Sequence, residues 1–450
     1  MKIFILLSIF TLALFAQPLS LTQALELIKK QNLEVQSAQY EVQSANLDQD
    51  MAYAQNFGQL NFTQSMMRTD DAGKAFGFSL TSREASFKNF GFSDFDPTNP
   101  NILNVQPHDL NYPDDQNFFQ SKLSYELPVY TGNKISAYTT MAKEMKHISL
   151  LQKQEQINTK IFETRKSFFD MGLLENSLKN LRIIHNNIIR LEQMTQEMIL
   201  EGYAKKVDLL EVQSKKANIE RIIVELESNQ ELLYHYLSFL LNQEVKEIAT
   251  PSYEPLEPHI SEEQVLEGNL DIQKALGALK IRDSMVVVEE SRWLPSIGAV
   301  AEVQTSDDTF LGDANDHSSY TIGLQLKWNL FSGGNDDAAI QKARIQQLKM
   351  QTQTLLAKKG VALRLKEIQT KIKTADSEIK NLSLELSLAK AIYENYEDRY
   401  KEQLSSMNDV IIKQSSWLQK VLELLKAKNT RNTQIFALEK LASLTQGNDL

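Results

Sequence analysis

The sequence predicts a mainly α-helical chain with a small β part, built as two copies of one unit. Two observations carry this. The stretch from Gly132 to Asp208 has the same length as that from Gly333 to Asp409, each running from a glycine-centred turn to an acidic residue. Four short segments with strict apolar and polar alternation precede those stretches, two in each copy.

The long stretches read as helices. No proline lies between Tyr130 and Thr250 or after Pro295, so nothing interrupts the i to i−4 hydrogen bonds. Apolar residues recur at sevens: Leu181 with Ile188, then Ile184, Leu191 and Met198, and in the return segment Val212, Ile219, Leu226, Leu233 and Leu240. The second copy has Leu382, Ala389 and Tyr396 beside Leu386, Tyr393 and Tyr400. Seven-residue spacing keeps a seam against a partner helix, so these are coiled-coil-like rods in which the Tyr and Met stripes are packing. About 70 residues at 1.5 Å each give roughly 105 Å of helix.

Composition bounds the function. The chain has 450 residues, 42% hydrophobic and 24% charged, with net charge −10 and no cysteine. An acidic chain offers no basic face for nucleic acid, and without thiols there are neither disulfides nor thiolate metal sites. Met1-Lys2, an apolar run from Ile3 to Phe15 and then Ala16-Gln17 read as a secretory signal at 1–16, although Leu14 is a large residue for a cleavage site. The exported chain then has no cysteine to carry a thioether lipid. No later stretch has the ~18 apolar residues of a membrane helix, so entry into a membrane requires strands.

In chain order, the first copy spans 17–248. Ser20 and Gln23 fit a capping box that opens a helix through Leu25, Ile28 and Val35 toward Gln55. Next come Leu60, Phe62 and Met66 alternating with polar residues, Gln64 breaking the apolar face. The turn-rich loop from Arg68 to Asn117 reads as external, with Phe76, Phe78 and Leu80 extending a strand inside it. Phe119, Ser121, Leu123, Tyr125, Leu127 and Val129 form the second alternating run. Residues 249–260, with three prolines, are a non-helical linker.

The second copy, 261–450, opens on Ser261 and Gln264, a second capping box, and Asn269-Leu270-Asp271-Ile272-Gln273 repeats Asn32-Leu33-Glu34-Val35-Gln36. Its strands put Ile297, Ala299, Ala301 and Val303 on one face, then Tyr320, Ile322, Leu324, Leu326, Trp328 and Leu330. Such alternation suits both an amphipathic soluble sheet and a strand crossing a bilayer. Export and the aromatic ends Tyr320 and Trp328 favour the bilayer. Four strands close no barrel, and an open edge has no place in hydrocarbon, so several copies must share one wall.

Lys327-Trp328-Asn329-Leu330-Phe331-Ser332-Gly333-Gly334, with Leu127-Pro128-Val129-Tyr130-Thr131-Gly132-Asn133-Lys134 in the first copy, resembles the strand-to-helix junction of the TolC-like outer-membrane efflux protein family, and the duplicated order of helices and strands covers essentially the whole exported chain. The resemblance implies a homotrimer: a transmembrane β-barrel with four strands per chain, continued by an α-helical barrel across the periplasm. It also implies outer-membrane lipid, a periplasmic adaptor and an inner-membrane pump as partners, with drugs, metals or polypeptides as cargo. Gly132, Gly333 and Gly334 mark the strand-to-helix junctions.

The hairpin turns fall near 202–208 and 403–409. By resemblance Asp409 lines the closed entrance, with Tyr400 and Asp208 beside it, and Gly202, Tyr203 and Leu404 meet the adaptor. From the residues alone, Asp208 and Asp409 read first as caps of their return helices, with Asp409 able to do both, and the glycine and apolar residues read equally as a plain turn. The chain departs from the family pattern at Gln403, Ser405 and Ile412, leaving Lys205, Lys206 or Arg399 to hold the entrance shut. The six histidines show no ligand spacing and no catalytic arrangement appears, so neither enzyme activity, metal nor cofactor is expected. A non-conducting periplasmic scaffold or surface adhesin is the rival reading.

Overall fold

The computed structural model describes residues 18–310, 312 and 316–444. The signal expected at 1–16 lies outside them. The chain divides by contacts into two units, and each draws on both copies: the first holds the described parts of Met1–Gln43, His147–Leu276 and Thr352–Leu450, the second Ser44–Lys146 and Gly277–Gln351.

The two rods are α5 (Lys134–Leu200) and α9 (Asn335–Lys401), each 67 residues long. Their return helices are α6 (Lys206–Leu241) and α10 (Met407–Leu441). Among the described residues no helix is long and apolar enough to cross a membrane.

In the first unit three apolar clusters hold the helices together. One surrounds Leu181, Ile184, Ile188, Val212, Ile219, Tyr393 and Tyr400, the seam that the seven-residue spacing predicts. Tyr393 stacks on Trp417 with ring centroids 5.4 Å apart, and burial, followed by the charge of Glu397, pushes its phenol upward. The other two gather Ile28, Phe168 and Leu240, and Ile272, Leu365 and Phe436.

Both expected capping boxes are present, the Gln23 amide donating to Ser20 Oγ at 3.3 Å and that of Gln264 to Ser261 Oγ at 3.2 Å. The helix expected to run unbroken from Ser20 toward Gln55 does not. It splits into α1 (Leu21–Gln31) and α2 (Leu33–Ala54). At Asn32 the backbone turns extended, the side-chain oxygen caps the amides of Glu34 and Val35, and Nδ2 donates to the Leu240 carbonyl at 2.7 Å. Asn269 does the same between α7 (Glu262–Gly268) and α8 (Leu270–Glu290), reaching the Leu441 carbonyl at 2.9 Å. A side chain that caps one helix and satisfies the last carbonyls of another outweighs one lost turn of backbone bonding.

The second unit carries one antiparallel sheet in the order β1 (Gln59–Thr69), β2 (Gln116–Tyr130), β3 (Ser296–Asp307), β4 (Ser318–Lys327). Phe76, Phe78 and Leu80 do not extend a strand. They lie in α3 (Ala72–Thr81), capped by Asp71, with Phe78 buried against Phe118. Alternation of three residues cannot separate a strand from one helical face when the run is this short. A single turn, α4 (His108–Asn111), follows in the same loop. Residues 249–260 form neither helix nor strand.

Candidate functional site

The sheet's register sorts its residues onto two faces. Phe62 pairs with Leu123 and Leu60 with Tyr125; Leu123 faces Val303, and Val303 faces Tyr320. Ala301 and Ile322 pair in the next row, then Ala299 and Leu324. These rows are apolar from edge to edge; toward the loop end the same face turns polar, in the row Gln64, Ser121, Thr305 and Ser318, where Gln64 accepts a 2.5 Å hydrogen bond from the Ser121 hydroxyl, and at Asp307 opposite Phe119. That face is bare: Phe62, Tyr320, Ile322 and Leu324 are 68%, 78%, 77% and 76% exposed. Unpaired apolar surface on this scale marks a face that another apolar phase covers.

The reverse face is polar and self-satisfied. Lys122 pairs with Glu302 at 2.6 Å, and Gln120 donates to Gln304 at 3.0 Å. Among the described residues β1 and β4 have one strand neighbour each, leaving two backbone edges without a partner strand.

Each strand-to-helix junction is a pair of residues in left-handed backbone, Gly132 (φ 61°) with Asn133 (φ 69°), and Gly333 (φ 66°) with Gly334 (φ 87°). Two successive left-handed residues reverse the chain from strand into rod, which glycine and asparagine tolerate and branched residues do not. At Gly132 space is short as well, since an added Cβ would lie 2.9 Å from that of Leu294.

In the first unit the two hairpin turns share one construction. After α5, the Gly202 amide donates to the Ile199 carbonyl and that of Tyr203 to Met198, with Gly202 at φ 83°. After α9, Gln403 donates to Tyr400 and Leu404 to Arg399, with Gln403 at φ 61°. Both are left-handed helix endings that satisfy the last carbonyls. Gln403 thus occupies, at a steric cost, the conformation for which the first copy has glycine. Gln403→Gly is expected to stabilise this turn by about 1 kcal/mol, read as slower amide exchange at Leu404 and Ser405.

The turn residues fall in distinct places. Tyr203 and Leu404 project into solvent, 64% and 62% exposed. Asp208 accepts from the Lys205 amide at 2.8 Å. Asp409 forms a full capping box with Ser406, accepting from its hydroxyl at 2.6 Å and its amide at 3.2 Å. Those two bonds, with Lys413 and Arg399 nearby, hold the Asp409 carboxyl below its usual value. Tyr400 is buried inside the helix cluster, which raises its phenol. Ser405 donates to the Tyr396 carbonyl at 3.1 Å, and the Arg399 guanidinium donates to the Leu404 carbonyl at 3.4 Å and lies over the Tyr396 ring. Arg399 and Ser405 therefore fasten the second turn from within the chain, while Lys205, Lys206 and Ile412 are exposed.

Residues 262–443 match the family model described as outer membrane efflux protein. No curated protein matches the chain in sequence. Solved structures do. The outer membrane protein VceC of Vibrio cholerae superposes with a TM-score of 0.78 at 12% identity, over 94% of this chain and 95% of its own. The CmeC outer membrane channel of Campylobacter jejuni gives 0.76 at 15% identity, over 94% and 85%. The MtrE outer membrane channel of Neisseria gonorrhoeae, in its open state, gives 0.75 at 14%, over 94% and 88%. The second copy of the repeat is thus similar to the outer membrane efflux protein model, and the described chain has the fold of the solved outer-membrane channels that it superposes on.

Proposed function

We propose that three copies of this chain form a passive exit channel in a bacterial outer membrane, prolonged into the periplasm by the helices. The channel takes substrate from an inner-membrane pump through a periplasmic adaptor, in efflux or in protein secretion. The observation that supports this best is the sheet: one bare apolar face for lipid, one charged and hydrogen-bonded face for a wet lumen, and two edges that only further strands satisfy. A scaffold or adhesin has no use for a polar reverse face.

The turns form the inner entrance. Tyr203 and Leu404, exposed beside the left-handed endings at Gly202 and Gln403, offer apolar contacts to an adaptor. Asp208 and Asp409 set a ring of negative charge there, with Tyr400 packing behind the second turn.

The test is size and conductance. Detergent-purified protein is expected to contain three chains by light scattering and to conduct in planar bilayers with cation preference. A monomer that stays soluble without detergent would remove the proposal. Asp409→Ala should lower cation over anion permeability roughly twofold or more; unchanged selectivity in a conducting trimer would take Asp409 out of the entrance.

A further inference from the structure

Sequence spacing leaves the six histidines without partner ligands, yet the fold carries one of them to two carboxylates. Glu84, Asp307 and His317 come from three places in the second unit, and their ligand atoms all lie within 4.8 Å of one another. Glu84 follows α3, Asp307 ends β3, and His317 precedes β4.

Local structure aims each one. α3 ends with Arg83 in left-handed backbone (φ 61°), and the Glu84 amide reaches back to the Ser79 carbonyl at 2.9 Å, which turns the chain toward the end of the sheet. Asp307 is buried, and its Oδ1 accepts from the Thr309 amide at 3.2 Å. That bond fixes the carboxylate with Oδ2 toward His317 Nδ1, 3.3 Å away. Gly312 roofs it so closely that an added Cβ would lie 2.3 Å from Oδ2.

The His317 nitrogen is buried and makes no hydrogen bond among the described residues, despite the carboxylate beside it. A histidine donating to an aspartate closes to about 2.8 Å. A separation of ~3.3 Å is the edge of a tetrahedron whose corners lie about 2.05 Å from its centre, the bond length of zinc to imidazole and carboxylate. One imidazole with two carboxylates also excludes the all-oxygen ions calcium and magnesium as the best fit.

We propose that Glu84, Asp307 and His317 bind one divalent transition-metal ion of the zinc class, with water as the fourth ligand. The ion ties the turn after α3 to both ends of the β3–β4 connection. This site is independent of whether the chain conducts.

The test uses full-length, tag-free protein in detergent, stripped with EDTA and titrated with cobalt(II). One ion per chain is expected, with the intense visible bands of tetrahedral cobalt, displaced by zinc. Glu84→Gln and His317→Gln should each weaken binding at least tenfold. Glu84 is exposed, so its variant folds whatever its role and decides the matter alone if His317→Gln does not fold. Absence of a stoichiometric cobalt spectrum in the unaltered protein, or unchanged affinity in Glu84→Gln, overturns the assignment and leaves an ordinary histidine and aspartate pair.

Discussion

Ile322→Arg is expected to abolish recovery of the protein as a membrane-borne trimer, whereas Thr321→Arg, one residue away, leaves it intact. Ile322 stands on the bare apolar face, paired with Ala301, and Thr321 on the polar face, paired with Glu302. An arginine at mid-depth on a lipid-facing strand costs about 2–4 kcal/mol. Three copies would each bear that cost. At Thr321 the new charge faces water and an acidic neighbour. The measurement is the yield of detergent-extracted trimer for the two variants expressed side by side. Equal yields would mean that the apolar face does not meet lipid, and would favour a soluble sheet.

Arg165→Met is expected to cost about 3–5 kcal/mol at neutral pH, because it strands a buried carboxylate. Arg165 pairs with Glu439 in the first unit and lies 4.4 Å from the centre of the Phe436 ring. Burial already raises the Glu439 carboxyl above its usual value, while the charge and hydrogen bond of Arg165 pull it back. Without the arginine only the raising influence is left. A carboxyl whose pKa is higher folded than unfolded stabilises the fold below the unfolded value and loses that stabilisation as pH rises through the folded one. The variant's deficit should therefore be small near pH 4 and full by pH 8. Unfolding midpoints at the two pH values check this, and Glu439→Gln on top of Arg165→Met should flatten the pH dependence. A deficit that is the same at both pH values would mean the lost packing on Phe436 dominates.

The rods, the four strands, the capping boxes and the junction glycines were legible because each follows from a local rule. Heptads, alternation, a serine three residues before a glutamine, and Gly333-Gly334 are patterns within one segment. What escaped reading depends on residues far apart. Asn32 and Asn269 break their helices because Leu240 and Leu441 offer carbonyls from elsewhere in the chain; the matching segments around the two asparagines were the available signal. The Arg165 and Glu439 pair, and the meeting of Glu84 with Asp307 and His317, leave no trace in spacing. At the second turn, Gln403 in place of glycine looked like a departure from the pattern, but the backbone keeps the left-handed geometry and absorbs the strain.

The unpaired margins of the sheet also bear on genetics. If the chain assembles as the proposed trimer, a cell making sound and defective subunits in equal amounts would, by random assortment, have only about one ring in eight wholly sound. A lesion that still let subunits associate would then behave as dominant, lowering whatever the ring does well below half, whereas one that kept the subunit from joining, as expected of Ile322→Arg, would be silent beside a good copy.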